Sequence, residues 1–536
     1  MVAAVVDGLY GNDNICQYIH PFLCLIIRPL NQLLPTADVF SFLIHIGLFF
    51  QIGLIASFGF ARVTNRPLRI WGIQEYLTCL MAILLVAFLS AGIVIWNVNY
   101  TVQTAFFVFT GSMALFLALE RSKGTAWIII GTILIAFGFL LRMEAALLFL
   151  PFLLLEMLTF LLEEQQSENK ENWKKIQKYL HPAALVIAVL LLGRTAFYSV
   201  EPYKTAARYN KARTTCIDYP MKSYSNLKDP SGILPEDYNA ATNWVYADTD
   251  ILNVDYLEQI AAAGEKNEYS LSGEGFVQTL EKMWFRLTQT NLYLFMMFIT
   301  SAILLVRNLF LCQTKCRKLE SILAFLGGFI ILAYFTFRGR APTQVWEPVL
   351  FATDFVLICA ALKHPEKKPS DRWLRAELAF QILICVSLWF SVGQVMSHNQ
   401  WHMPASVLTS KINADDSVYQ ETFENDGLYL WPTWHMRIPR YFCEIDKLPT
   451  KRVLEHNIPV GDWIYGQPYF GEMLERIDVP NLAVALLERP NTYLMNSPDN
   501  LLRFLRAHYG KDIDVEEAGE INEVMTYRVV ENANLR

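Results

Sequence analysis

Two short charged runs sit where apolar stretches give way to loops: Leu141-Arg142-Met143-Glu144 and Phe337-Arg338-Gly339-Arg340-Ala341-Pro342. Guanidinium forks match the paired oxygens of a phosphate, so Arg338 and Arg340 are candidates to hold an anionic head group. Arg142 and Glu144 are candidates to line a polar cavity, because ionisable residues inside helical membrane bundles tend to be functional. The plain alternative for all four is a side chain that snorkels to water. A third group comprises Asn210, Arg213, Asp218 and Tyr219, followed by Asp237, Tyr238, Trp244, Asp248 and Asp250. Its carboxylates suit sugar hydroxyls and its flat rings suit apolar sugar faces, although a solvated loop domain has the same composition. Near the start, Asp7 and Asp13 could serve as a general base or as ligands to a divalent metal. No Asp-x-Asp pair occurs among them.

What must position these residues is a membrane bundle. A chain of 536 residues with 53% hydrophobic and 18% charged content falls outside the soluble globular range. About ten windows approach the ~20 apolar residues that cross a bilayer core. They lie near 38–60, 75–97, 102–119, 126–141, 145–162, 181–199, 290–311, 320–337, 345–362 and 376–396. As one helix, 126–162 would run to ~55 Å, too long for one crossing. A turn is therefore expected at Arg142-Met143-Glu144.

Orientation follows from charge. Seventeen Lys/Arg occupy five of the connecting loops: Arg62 to Arg69, Arg121 to Lys123, Lys170 to Lys178, Lys315 to Lys318 and Lys363 to Arg375. The alternating loops hold only Arg142, Arg338 and Arg340. Cytoplasmic loops collect Lys/Arg, so the first set is expected inside, and both termini outside, in a multi-pass cell-membrane protein. A net charge of −6 with no basic stripe beyond those loops argues against a nucleic-acid partner. The nine Cys are scattered, and Cys312 with Cys316 lacks the further ligands a zinc site requires.

Five blocks follow. Residues 1–37 form an outer leading segment ending in an interfacial amphipathic stretch, since His20, Pro21, Arg28, Pro29, Asn31 and Gln32 ill suit a span. Residues 38–199 carry six spans, joined by short loops apart from a polar inner loop at 163–180. Residues 200–288 are an extracytoplasmic insertion, and 289–396 carry four more spans. Residues 397–536 read as an extracytoplasmic α/β domain. Leu501, Leu502, Phe504, Leu505 and Tyr509 share a helical face there, and 523–530 alternates as a strand does. The fold class expected is an all-α polytopic bundle with an outer insertion and this small C-terminal domain.

Several short motifs run along the chain: Gly8-Leu9-Tyr10-Gly11-Asn12-Asp13; Leu141 to Glu144 with Leu150-Pro151-Phe152; Tyr209 to Arg213; and Asp218-Tyr219-Pro220. Asp237-Tyr238 with Trp244 and Asp248, Gly339 to Pro342, and Arg506-Ala507-His508-Tyr509-Gly510 complete the set. Together they resemble the GT-C class of polytopic glycosyltransferases. More narrowly, they resemble uncharacterised membrane proteins of Gram-positive bacteria that share that architecture. The resemblance implies a sugar taken from a polyprenyl-phosphate carrier in the membrane lipid and passed to a glycan or lipid acceptor at the cell surface. It implies that Arg338 and Arg340 clamp the carrier phosphate while Arg142 and Glu144 line the cavity. Asp218, Asp237 and Asp248 would close over the acceptor, with Arg213 and Trp244 also binding substrate.

The class places an acidic pair just after its first transmembrane helix, and this chain is expected to lack that helix. The family's catalytic carboxylate is then missing, and Asp7 and Asp13, lying downstream, do not simply inherit its role. The rival readings are a transporter or flippase of lipid-linked sugars and a non-catalytic membrane-anchored surface protein.

Overall fold

The computed structural model describes residues 5–34, 38–61, 100–120, 125–165, 171–218, 221–266, 273–290, 292–312, 314–339, 343–362, 371–402, 426–432, 451–495, 499–521 and 524–531, with isolated positions at 77–85 and at 422. Long apolar runs become helices because a helix satisfies its own backbone N–H and C=O groups, as a bilayer interior demands. Seven helices among the described residues are long and apolar enough to cross a membrane: Val39–Ser57, Tyr100–Leu119, Met143–Glu163, Leu180–Phe197, Leu294–Leu311, Lys315–Phe337 and Asp371–Gln394. Thr125–Leu141 is apolar but shorter. Thr343–Leu362 occupies the middle of the bundle, with Trp346, Val349, Phe355 and Leu357 buried. The other expected windows are mainly helical in the described residues, with turns at 148–149 and 198–199, whereas 75–97 lies almost wholly outside them.

The expected break near Arg142 is present. Arg142 is extended (φ −157°, ψ 101°), ending one helix and preceding the short helix Met143–Leu147. The polar loop expected over 163–180 is largely helix instead, because Glu171–Phe197 begins well before its apolar part. Helices Tyr100–Glu120 and Thr125–Leu141 pack through glycines. A Cβ on Gly111 would meet the Gly131 carbonyl oxygen at 2.7 Å, and one on Gly131 would meet that of Gly111 at 2.8 Å. Small residues let helix backbones approach closely where lipid supplies no hydrophobic drive.

The two ends of the bundle differ in chemistry. At one end, Arg317 is buried among three carboxylates: Glu156 at 2.7 Å, Glu320 at 2.9 Å and Glu163 at 3.0 Å. Arg307 pairs with Glu377 at 2.8 Å. At the other end lie the first turn of Tyr100–Glu120, the break at Arg142 and, one helix length from Arg317, Arg338.

The leading segment 1–37, the insertion 200–288 and the C-terminal domain 397–536 were expected as distinct blocks. Their described residues share one hydrophobic core, which joins Val5, Ile15 and Leu23 to Tyr209, Tyr246 and Leu257 and to Ile458, Tyr469 and Phe504. Among the described residues, five strands form one sheet: β1 (Leu428–Trp431), β2 (Asn457–Pro459), β3 (Thr492–Met495), β4 (Ile513–Ile521) and β5 (Val524–Glu531). Their order is β2-β1-β3-β5-β4, with β1 parallel to β2 and β3, and β5 antiparallel to β3 and β4. The expected strand is β5, and the expected helix is Asp499–His508, whose Leu501, Leu502, Phe504 and Leu505 are buried.

Candidate functional site

The leading segment, the bundle end and the soluble core meet at Tyr18. Helix Tyr203–Ile217 carries Asn210, Arg213 and Thr214 on one face, as a spacing of three and four residues dictates. From there Arg213 Nη2 donates to the Tyr18 hydroxyl at 2.9 Å and to Asn210 Oδ1 at 2.6 Å. On the other side, the Arg142 guanidinium lies 5.2 Å from the Tyr18 ring centre and 5.2 Å from that of Tyr100. Its Nη1 donates to the Tyr100 hydroxyl (2.8 Å) and to Thr101 Oγ1 (3.0 Å). Tyr18 thus stands between two cations, with Trp463 edge-on at 5.2 Å.

Trp244 closes the cluster, its ring 5.2 Å from the Arg213 guanidinium. Its backbone has φ +60°, a left-handed conformation that costs of order 1–3 kcal/mol and clusters at functional sites. The contact on it is tight. A Cβ on Gly461 would lie 1.7 Å from the Trp244 carbonyl oxygen, so only glycine lets the Gly461-Asp462-Trp463 turn approach.

Arg213 is 1% exposed, yet its Nε and Nη1 have no hydrogen-bond partner among the described residues. A buried donor left unmade costs about 1–3 kcal/mol, more when charged, and asks for an acceptor. Asp462 is the buried acid whose charge is felt at Arg213. Burial pushes its carboxyl up to about 6, opposed by the Trp463 N–H and by Arg213. Because the folded pKa is raised, this group's contribution to stability is fully present below the unfolded value and is lost as pH rises through about 6. Above that pH its charge competes for Arg213. Anion binding at the cluster is therefore expected to strengthen as pH falls through about 6, and Asp462→Asn to remove that dependence in a binding titration.

The other sequence candidates fall elsewhere. Arg142 and Glu144 do not pair; exposed Glu144 meets Arg194 at 2.6 Å instead. Asp218 caps the C-terminal end of the Arg213 helix, and its charge is felt at Arg213. Asp237 is spent on the Tyr256 hydroxyl (2.7 Å) and His508 Nε2 (2.5 Å). Asp248 accepts the N–H groups of Asp250 and Ile251 and the Tyr509 hydroxyl. Both are buried and link residues 200–266 to the C-terminal part through His508 and Tyr509. Arg338 caps helix Lys315–Phe337, while Arg340 and Tyr219 lie outside the described residues.

Asp7 and Asp13 are not together. Asp13 is half-buried, its Oδ1 accepting the Ile15 N–H (3.1 Å), and burial raises its pKa. Asp7 Oδ1 accepts the Phe40 N–H at 3.3 Å. Burial, then the neighbouring Asp38 carboxylate, pushes Asp7 up to about 9. In this conformation Asp7 keeps its proton at neutral pH. Its folded pKa is raised, so its stabilising contribution fades as pH climbs through about 9. Asp7→Asn, which mimics the protonated form, should leave the thermal midpoint near neutral pH almost unchanged and flatten its alkaline decline.

Tyr18, Tyr100, Asp462 and Trp463 escaped sequence reasoning; the Gly-Asp-Trp turn was the one visible hint. Among the described residues no group of three or more His, Cys, Asp or Glu is placed to hold a metal ion. The chain matches no family model, no curated protein and no solved structure.

Proposed function

We propose that this protein is a GT-C-like membrane glycosyltransferase, or a homologue of one, with ten spans and its soluble core on the outer face. It takes a sugar from a polyprenyl-phosphate carrier and passes it to a surface glycan or lipid. The observation that carries this reading is the pair of unmade donors on buried Arg213, beside Arg142, at the junction of bundle and soluble core. A phosphate held there would satisfy those donors at the depth where a lipid head group meets the protein. Tyr18, Trp244 and Trp463 offer ring faces for the sugar. Asp462, charged above about pH 6, is the carboxylate of the cluster able to take an acceptor proton. Arg338, at the same bundle end, and Arg340 supply a second pair of cations for the carrier.

The test is the full chain in proteoliposomes containing radiolabelled polyprenyl-phosphate sugars and a membrane extract as acceptor. Label passing from carrier to acceptor supports the reading. Label that crosses the bilayer still attached to its carrier indicates a flippase. Carrier that neither binds nor reacts indicates a non-catalytic surface protein.

A further inference from the structure

Residues 200–288 read as an aqueous insertion, but their last helix, Gly273–Phe285, has three distinct sides. One side, Gly275, Thr279 and Met283, is buried against the bundle, where the helix packs on Lys315–Phe337. A second carries Glu274, Gln278, Glu281 and Lys282, with Phe285 exposed at its C-terminal end, where the chain runs on towards the next span. Between them, at ~100° of rotation per residue, lies an apolar stripe of Phe276, Leu280, Trp284 and Val277. Phe276, Val277 and Trp284 are 58%, 51% and 58% exposed. No aqueous helix gains by presenting such a row to water.

The stripe continues into the surface of the next span. The Trp284 ring sits edge-on to Phe295 at 5.7 Å, and Phe295 is in the first turn of Leu294–Leu311. Trp284 therefore stands at the level where that span starts, the depth at which tryptophan is enriched.

We propose that Gly273–Phe285 lies flat in the membrane interface. Its Phe276, Leu280, Trp284 and Val277 stripe is sunk among lipid acyl chains, and its Glu274, Gln278, Glu281, Lys282 side faces water. The partner is the lipid surface itself, continuous with the lipid-facing side of the following span. Two acidic residues against one lysine on the helix, with Arg286 next to it, leave no net charge to favour anionic lipid. Apolar insertion, not charge, holds the helix there.

The test uses the full chain in vesicles, with a fluorescent thiol probe on Phe276→Cys or on Glu281→Cys and the unsubstituted chain as labelling blank. The probe at 276 is expected to be quenched by lipids carrying a nitroxide on the acyl chain and spared by aqueous iodide, with the reverse at 281. The same pattern is expected in phosphatidylcholine alone and with phosphatidylglycerol added. Iodide reaching both positions equally would make this a helix in water. A 276 probe shielded from both quenchers would mean that a protein covers the stripe. Dependence on phosphatidylglycerol would mean docking by charge. Each of these three outcomes overturns the proposal.

Discussion

Under the proposed function, Arg213→Met should lower the rate of sugar transfer by roughly 10²–10³-fold, the usual cost of removing a preorganised donor aimed at developing charge. The expectation rests on the two unmade donors of a guanidinium that is 1% exposed. Methionine preserves most of the buried stem, while the charge and the guanidinium contact on the Trp244 ring are lost. Binding of a polyprenyl phosphate should weaken roughly tenfold or more, matching about 1.5–3 kcal/mol for a charge-assisted hydrogen bond. Thermal stability measured beside activity separates a damaged fold from a damaged site. Arg213→Lys should recover part of the binding but not the geometry of a fork. If Arg213→Met binds carrier as the parent does while Arg338→Ala does not, the phosphate belongs at the end of helix Lys315–Phe337. If neither change weakens binding, both arginines are structural.

The largest stability effect should come from the opposite end. Arg317→Ala leaves Glu156, Glu163 and Glu320 without the cation that all three contact within 3.0 Å. Removing one partner of a buried pair costs about 3–5 kcal/mol, because the remaining charges are neither solvated nor compensated. Here three acids are stranded instead of one. The variant should melt well below the parent in detergent, or fail to accumulate. Glu320→Gln should do far less damage, since it keeps a polar group beside the guanidinium and removes one of the competing negative charges. Equal melting of Arg317→Ala and parent would mean that the cluster contributes nothing to holding helices Leu150–Gln165 and Lys315–Phe337 together.

The sequence by itself determined the apolar membrane helices found among the described residues, seven of them long enough to cross a membrane, but not the polar start of helix Glu171–Phe197. Crossing a bilayer forces long apolar runs with closed hydrogen bonding, and that demand is local, so it shows in hydropathy windows and in a break at Arg142. The helix face of Leu501 to Leu505 and the alternation of β5 were legible for the same reason, since periodicity reports which side of one element is buried. Only the tertiary structure decided the site. Arg213 reaches Tyr18 across 195 positions of chain, and Asp462, from the C-terminal part of the chain, feels its charge. Nothing local marks Tyr18, because its surroundings come from elements that find one another only when the shared core closes. The same closure consumed Asp237 and Asp248, which look like ligands in a list of residues. In the fold, each is buried and hydrogen-bonded to a hydroxyl and a neighbouring donor inside the protein. Arg213 was buried with donors to spare, and the packing around it, not its place in the sequence, makes it the candidate.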